Sequence, residues 1–407
     1  MSAGLKGIKT VRDFALEGKV VFLRLDLNVP MEDGKITDEN RITASLPTIK
    51  YCMEHGAKIV MASHLGRPKT KDDKEFSLEP VAKRLQEHLN AEVILVEEPD
   101  SDAPVHLLPS LKKNQLILLE NVRFEAGETK DSIEFAQKIA NYAEIYINDA
   151  FGASHRAHAT IHALPSVMKE KGIGFLIEKE INMLDSLLTN PKRPYIAVMG
   201  GAKVSDKMPV IEKLMDIVDG FIIGGAMAYT FLKAQGVSVG NSLVEADKVR
   251  YCKEMIERIA ARDKTILLPV DHVATKAFGD VANAHTTKDV VIPDGEMALD
   301  IGPQTIRNYS AALKEAGTIF WNGPMGVFEN PAFSKGTFGV AKAIAESNAT
   351  KIVGGGDSAA AAEMSGYADK MTHISTGGGA SLEYLQGDKL PGLEILRTKA
   401  RPASNYE

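Results

Sequence analysis

Short apolar runs alternate with longer amphipathic stretches along the whole chain. In the first half the runs are VVFLRL, AKIVMAS, AEVILV, LILLE and EIYIND, and patterns of helical spacing such as ITASLPTIKYCMEHG and SIEFAQKIANYA lie between them. In the second half the runs are YIAVMGG, GFIIGG, TILLPV, DVVI, GTIFW, KIVGGG and THISTGGG, separated by VIEKLMDIV, DKVRYCKEMIERIAA and DSAAAAEM. Strand and helix alternating on this scale predict an α/β protein with doubly wound parallel sheets. GFLIEKEINMLDSLL reads as an amphipathic helix, and the two prolines of TNPKRP end it. The expected division is a first domain over 1–173, a connector helix over 174–190, a second domain over 191–390, and a tail over 391–407 that packs back on the first domain. Each domain is expected to be a Rossmann-like parallel sheet.

In open parallel sheets ligands bind beyond the carboxyl ends of the strands, so those ends carry the candidate chemistry. In the first half they carry polar and basic groups. LRLDLNVP offers Asp26 and Asn28, MASHLGRP offers His64 and Arg67, LLENVRF offers Arg123, and INDAFGASHRAH offers His155, Arg156 and His158. Arg41 opens the helix after the first strand's long loop. Guanidinium groups bind phosphate and carboxylate bidentately, and imidazole adds a directional donor. One such group would serve equally as a surface arginine or a cap; basic groups at four strand ends argue for a small anionic substrate. Arg24 lies inside its strand, where a structural ion pair is the simpler role.

In the second half the corresponding ends carry glycine: VMGGAK, IIGGAM, FWNGPMGVFE, IVGGGDS and STGGGAS. Glycine lets backbone N–H groups approach a phosphate, and a following helix adds its positive N-terminal end. Lys203 and Lys207 are spaced i, i+4, which on the first turn of a helix would put both on one face, toward phosphate oxygens. Asp357 follows three glycines at a helix start, where a carboxylate either caps the helix or meets Mg²⁺ carried by a nucleotide. Glu329 could accept from ribose hydroxyls. The G-x-x-x-x-G-K-[ST] loop and the dinucleotide G-x-G-x-x-G fingerprint at the first strand of either half are both missing.

Composition narrows the field. The 407 residues are 44% hydrophobic and 25% charged, with a formal net charge of −6. That balance argues against bulk nucleic-acid binding. The two cysteines, Cys52 and Cys252, lack metal-ligand spacing and fit a reducing compartment. MSAGLKGIKT has no apolar h-region, and no run approaches the roughly 18 apolar residues of a membrane span. A cytoplasmic protein that engages neither membrane nor nucleic acid is expected.

Taken together, LRLDLNVP, SHLGRP, ENVRF, NDAFGASHRAHA, GGAKVSDK, GGAM, WNGPMGVFE, GGGDSAAA and STGGGASLE resemble the phosphoglycerate kinase family, in the family's order and over essentially the whole chain. The resemblance implies a two-lobed monomer passing phosphate between 1,3-bisphosphoglycerate and ADP, to give 3-phosphoglycerate and ATP. It implies that Asp26, Asn28, Arg41, His64, Arg67, Arg123 and Arg156 bind 3-phosphoglycerate, with His155 and His158 in support. It puts Gly201, Ala202, Lys203, Lys207, Gly224, Gly225, Asn322, Pro324, Glu329, Gly355, Gly356, Asp357 and Ser358 on the nucleotide, Asp357 on the magnesium, and the backbone at Gly378 and Gly379 toward the transferring group. Two positions depart from the family's habit: Ala153-Ser154, usually Thr-Ala, and Ser358, often Thr.

The acceptor carboxylate, with an unperturbed pKa near 4, is ionised at pH 7 and needs no general base. The remaining work is alignment and charge balance, for which Arg41, Lys203, Lys207 and Gly379 are the candidates. Closure about the connector helix, with Gly172, Gly174 and TNPKRP as its flexible points, is expected to bring the two ligands together. A nicotinamide-dependent oxidoreductase, disfavoured by the missing fingerprint, and a non-catalytic nucleotide sensor, disfavoured by the presence of Arg41, Lys207 and Asp357, are the alternatives.

Overall fold

The computed structural model describes residues 3–398; the last part of the expected tail, 399–407, lies outside the described residues. The chain forms two compact units. One runs to Asn182 and regains the chain from Lys389; the other spans Met183–Asp388. Among the described residues no helix is long and apolar enough to cross a membrane.

The first unit is built on a six-stranded, wholly parallel sheet. Its strands are β1 (Val20–Leu25), β2 (Lys58–Ala62), β3 (Glu92–Val96), β4 (Gln115–Leu119), β5 (Ile145–Asp149) and β6 (Glu170–Ile173), in the spatial order β3-β4-β2-β1-β5-β6. β1 pairs with β2 from Val20↔Lys58 and with β5 from Val21↔Ile145. All five residues of β5 are buried, as a strand covered on both faces requires. The helix Asn40–Glu54 packs Ile42, Leu46 and Ile49 into the core with Val21, Leu23 and Met61. Its Pro47 is exposed and tolerated there. The short helix Pro391–Glu394 returns to this unit: Gly392 N donates to Ser154 O at 2.9 Å, and Asn148 Nδ2 donates to Gly392 O at 3.2 Å.

The strands of the second unit are β7 (Tyr195–Met199), β8 (Gly220–Ile223), β9 (Thr265–Leu267), β10 (His272–Thr275), β11 (His285–Thr286), β12 (Met297–Ile301), β13 (Thr318–Asn322), β14 (Thr350–Val353) and β15 (His373–Ile374). Six form a parallel sheet ordered β9-β8-β7-β13-β14-β15; the other three form an antiparallel sheet ordered β11-β10-β12. That second sheet was not expected. DVVI, read as a strand, makes only the isolated bridge Val239↔Ile292. The chain leaves β7 and β13 in opposite directions along the parallel sheet, so a crevice opens at their carboxyl ends.

The helix Phe175–Thr189 follows β6. Its first turn is held by Asp149 Oδ1, which accepts from Leu176 N at 2.9 Å and Ile177 N at 3.2 Å. Burial pushes this carboxyl up to about 7, against the hydrogen bonds that favour the charged form. A side chain at Gly174 would run into the Asp149 carboxylate, and one at Gly172 would lie 2.6 Å from Lys9 O. Both glycines therefore make room for close packing, a reason for glycine independent of hinge freedom.

Candidate functional site

At the strand ends of the first unit, side chains lock each loop to the next. Asn28 Oδ1 accepts from Gly66 N at 2.8 Å. Asn121, fully buried after β4, donates to Leu65 O at 2.7 Å and Phe76 O at 2.9 Å and accepts from Arg123 N at 3.1 Å. Arg123 Nη1 donates to Gly66 O at 2.6 Å. Arg41 forms an ion pair with Asp26. These bonds gather Asp26, Asn28, Arg41 and Arg123 into one cluster. His64 and Arg156 lie close enough for their charges to act on one another: Arg123 and Arg41 on His64, and Arg156 on Arg123. Arg156 Nε reaches His155 Nε2 at 3.1 Å. Arg67 is exposed on the turn beside Gly66.

Arg24 lies beneath the cluster, fully buried. Its Nε donates to Thr160 Oγ1 at 2.7 Å, and the Thr160 hydroxyl donates to Glu128 Oε1 at 2.7 Å. Arg24 Nη2 lies 3.8 Å from Glu128 Oε1, both side chains being wholly inaccessible, so the structural ion pair expected of Arg24 is present. Arg24 Nη2 also lies 3.3 Å from His64 Nδ1. A guanidinium can only donate, so Nδ1 accepts and Nε2 of the neutral ring carries the proton. Burial, then Arg24, Arg123 and Arg41, hold the His64 pKa well below the usual histidine range. Burial, Arg123 and Arg24 press His158 down to about 4, and burial, Arg24 and Arg156 press Arg123 down to about 10.

Among the described residues, no carboxylate pairs with Arg67, Arg123 or Arg156, and the buried Nε of Arg123 and Nδ1 of His158 have no hydrogen-bond partner. Arginines crowded together, with the buried Nε of Arg123 unused, suit an anion.

In the second unit the glycine loops act differently from the sequence expectation. Gly200 N donates to Asn322 O, Gly201 N to Pro324 O, Gly224 N to Met199 O, Gly225 N to Met325 O and Gly354 N to Trp321 O, all at 2.9–3.0 Å. Those N–H groups are spent on neighbouring backbone and cannot also cradle a phosphate. Gly225, at φ 66°, shows why glycine is needed: a Cβ there would lie 2.5 Å from Gly201 N and O. Gly224 and Gly225 are buried, Gly201 is half-buried and Ala202 is exposed, so these loops offer a packed backbone wall. Donors left over include the first-turn N–H groups of the helices Gly356–Met364 and Gly379–Gln386, which helix geometry leaves without intrahelical acceptors.

Lys203 and Lys207 do not share a helical turn. The helix begins at Met208, with Pro209 in the first turn that proline favours, and Lys203 stands in the preceding loop. Val204 O accepts from both Lys207 N and Met208 N, closing a turn between the lysines. Lys203 is exposed. Lys207 is half-buried, donates to Asn322 Oδ1, and has its pKa lowered by burial, partly offset by Asp206 and Asp357. Asn322 Nδ2 in turn donates to Gly354 O, and Gly323 N donates to the buried Ser358 hydroxyl. Lys207, Asn322, Gly323, Gly354 and Ser358 thus meet at the crevice between β7 and β13.

Asp357 is not the helix cap. Gly355, at φ 94°, occupies that position without a side-chain cap bond, and Asp357 is exposed one residue inside the first turn. Its carboxylate is available to a cation. Among the described residues no group of three or more His, Cys, Asp or Glu could hold a metal, so the donor set suits an ion that brings its own oxygen ligands. Pro324 is buried, and Glu329 is exposed at the end of the same loop. Sequence reasoning missed Glu128, Asn121 and Glu245, whose partners lie tens of residues away.

The family model for phosphoglycerate kinase matches residues 11–388. The phosphoglycerate kinase of Bdellovibrio bacteriovorus is 84% identical over 401 residues, covering 98% of this chain and 100% of the relative. That of Clostridium botulinum (strain Hall) is 51% identical over 393 residues, covering 96% and 99%. Among solved structures, phosphoglycerate kinase from Coxiella burnetii superposes with a TM-score of 0.85 at 40% identity, covering 96% of this chain and 98% of that one. The enzyme from Pyrococcus horikoshii gives 0.82 at 35% identity, covering 95% and 98%. The chain belongs to the phosphoglycerate kinase family.

Proposed function

We propose that the cationic cluster of the first unit binds 3-phosphoglycerate and that the glycine-walled crevice of the second binds the magnesium nucleotide. The reaction is that of the family: reversible transfer of a phosphoryl group between 1,3-bisphosphoglycerate and ADP, giving 3-phosphoglycerate and ATP. The observation that carries the division of labour is that, among the described residues, Arg67, Arg123 and Arg156 have no carboxylate partner. Arg41 is steered by Asp26, and neutral His64 presents Nε2–H, so each can donate in a fixed direction.

On the nucleotide side, Lys207, held by Asn322, would balance charge on the moving phosphoryl group, with Lys203 assisting. The first-turn N–H groups at Gly356, Asp357 and Gly379 would donate to phosphate oxygens, and Ser358 would support the loop from below. Asp357 would hold Mg²⁺, which supplies charge neutralisation when bound. Gly201, Ala202, Gly224, Gly225, Pro324 and Glu329 would line the nucleoside end. We take the chain to work as a cytoplasmic monomer. Transfer requires donor and acceptor atoms within about 3–3.5 Å. A fall in radius of gyration with both ligands present, read by small-angle scattering, is the expected sign of hinge closure.

Arg67→Ala and Arg156→Ala test the division. Each should weaken 3-phosphoglycerate binding by roughly 1.5–3 kcal/mol, the worth of a hydrogen bond to a charged group, and leave MgADP binding unchanged in calorimetric titrations. Loss of MgADP binding in both variants would reverse the assignment of the units.

A further inference from the structure

We infer that Glu245 is a positioning residue for phosphoryl transfer, acting through the turn that presents Lys203 and Lys207. The inference rests on the proposed role of Lys207. Glu245 stands at the start of the single turn Ala246–Lys248, far in sequence from the lysines. Its Oε1 accepts from the Ser205 hydroxyl at 2.6 Å, and its Oε2 accepts from Val204 N and from Ser205 N at 3.2 Å. Both oxygens are therefore committed to the residues between the lysines.

The carboxylate is itself anchored. Glu245 N donates to Thr230 Oγ1 at 3.2 Å, and Thr230 is buried on the helix Met227–Ala234. The first N–H of that helix, from Met227, donates to Gly201 O at 3.1 Å. Glu245 and Gly201 thus tie the two ends of GAKVS to one rigid helix. An acidic group this close to a phosphate site would ordinarily repel the ligand. Here three donors occupy it, two of them backbone N–H groups that would otherwise be free to turn.

The buried Val204 side chain keeps the loop docked without Glu245. What Glu245 adds is the orientation of the Val204 carbonyl that starts the turn carrying Lys207. A misplacement of about 1 Å can cost 10²-fold in rate, so the effect belongs in kcat rather than in folding.

The test is a double-mutant cycle. Glu245→Ala should lower kcat on the order of tenfold to 10²-fold, with KM for 3-phosphoglycerate unchanged. In a Lys207→Ala background the same substitution should cost less than about twofold, because residues acting as one unit are not additive. Ser205→Ala, which removes only the hydroxyl contact, should show a smaller loss with the same dependence on Lys207, and it carries the test if Glu245→Ala does not fold. Glu245→Gln should restore part of kcat, since its single carbonyl oxygen can still accept from a backbone N–H. An undiminished penalty in the Lys207→Ala background overturns the inference alone. A parent-like kcat in Lys207→Ala overturns the role of the lysine, and the inference with it.

Discussion

Glu128→Ala probes the charge buried beneath the cationic cluster. The side chains of Arg24 and Glu128 are wholly inaccessible, and Thr160 bridges them. Glu128 Oε2 also accepts Thr160 N at 2.8 Å. Truncation leaves a buried guanidinium without its counter-charge and a buried N–H without its acceptor. Breaking a buried pair by removing one partner costs about 3–5 kcal/mol. An unsatisfied backbone donor costs about 1–3 kcal/mol alone, but the two losses share one site and do not sum. The expected destabilisation is therefore about 3–5 kcal/mol, a midpoint shift of roughly 1–2 M urea at the slope of a domain this size. Glu128→Gln should lose less, since its carbonyl can keep the Thr160 N–H while its amide faces the hydroxyl. Circular dichroism during urea unfolding reads the loss. The single tryptophan, Trp321, belongs to the second unit and reports that unit separately. The variants should bind 3-phosphoglycerate no more weakly than the parent once folded, because a negative charge has left a cationic site. A parent-like midpoint in Glu128→Ala would refute the reasoning: the Arg24 charge would then be compensated by something other than Glu128.

Asp357→Asn should weaken MgADP binding in calorimetric titration while leaving the melting temperature within about a degree of the parent, since Gly355, and not Asp357, caps the helix; a melting point lower by several degrees with parent-like binding would restore a structural role. His158, pressed to about 4 from an ordinary 6.5, binds fewer protons in the native than in the unfolded state between those values, so its contribution to stability is lost as pH falls through that window. Sulfate, which has no pKa in this range, should raise the His158 pKa by offsetting Arg123 and Arg24, and its binding near pH 5 should take up protons. Calorimetry in two buffers of different ionisation enthalpy measures the uptake, and none would mean that His158 does not face the anion.

The parts of the fold legible in the sequence were those whose signal is local. β1, β5, β7 and β13 are covered on both faces, so each reads as a mainly apolar run: YIAVM in β7 is unbroken, Arg24 interrupts β1, and polar residues come in only at the ends of β5 and β13. β6 and the sheet β10–β12 escaped because KGI, HVAT and MALDI are short and mixed, and DVVI misled because three apolar residues fit a strand whether or not a partner lies alongside. Basic residues at strand ends were legible as chemistry, because sheet topology alone brings strand ends together. The glycines were legible as residue types but not as roles. Whether an N–H at Gly201 faces a ligand or Pro324 O depends on a loop more than a hundred residues away. Glu245 and Glu128 left no local signal for the same reason, their partners being about 40 and 30 residues distant.

On the proposed division of labour, the two units would handle phosphate by opposed strategies, and these would fail in different ways. The first gathers side-chain cations and spends few carboxylates on them: Asp26 meets Arg41 and Glu128 meets Arg24, while Arg123 and Arg156 are left to press on each other. Part of the favourable energy of anion binding is then relief of that repulsion, so affinity should respond to salt and to single charge changes, each side chain being separately replaceable. The second unit builds its wall from backbone against backbone, where a Cβ at Gly225 meets Gly201 and one at Gly323 lies against Gly200. There a methyl group moves two loops at once, together with the Lys207–Asn322 contact they frame. Substitutions in the first unit should therefore grade substrate affinity, whereas substitutions at these glycines should remove nucleotide binding and local stability together.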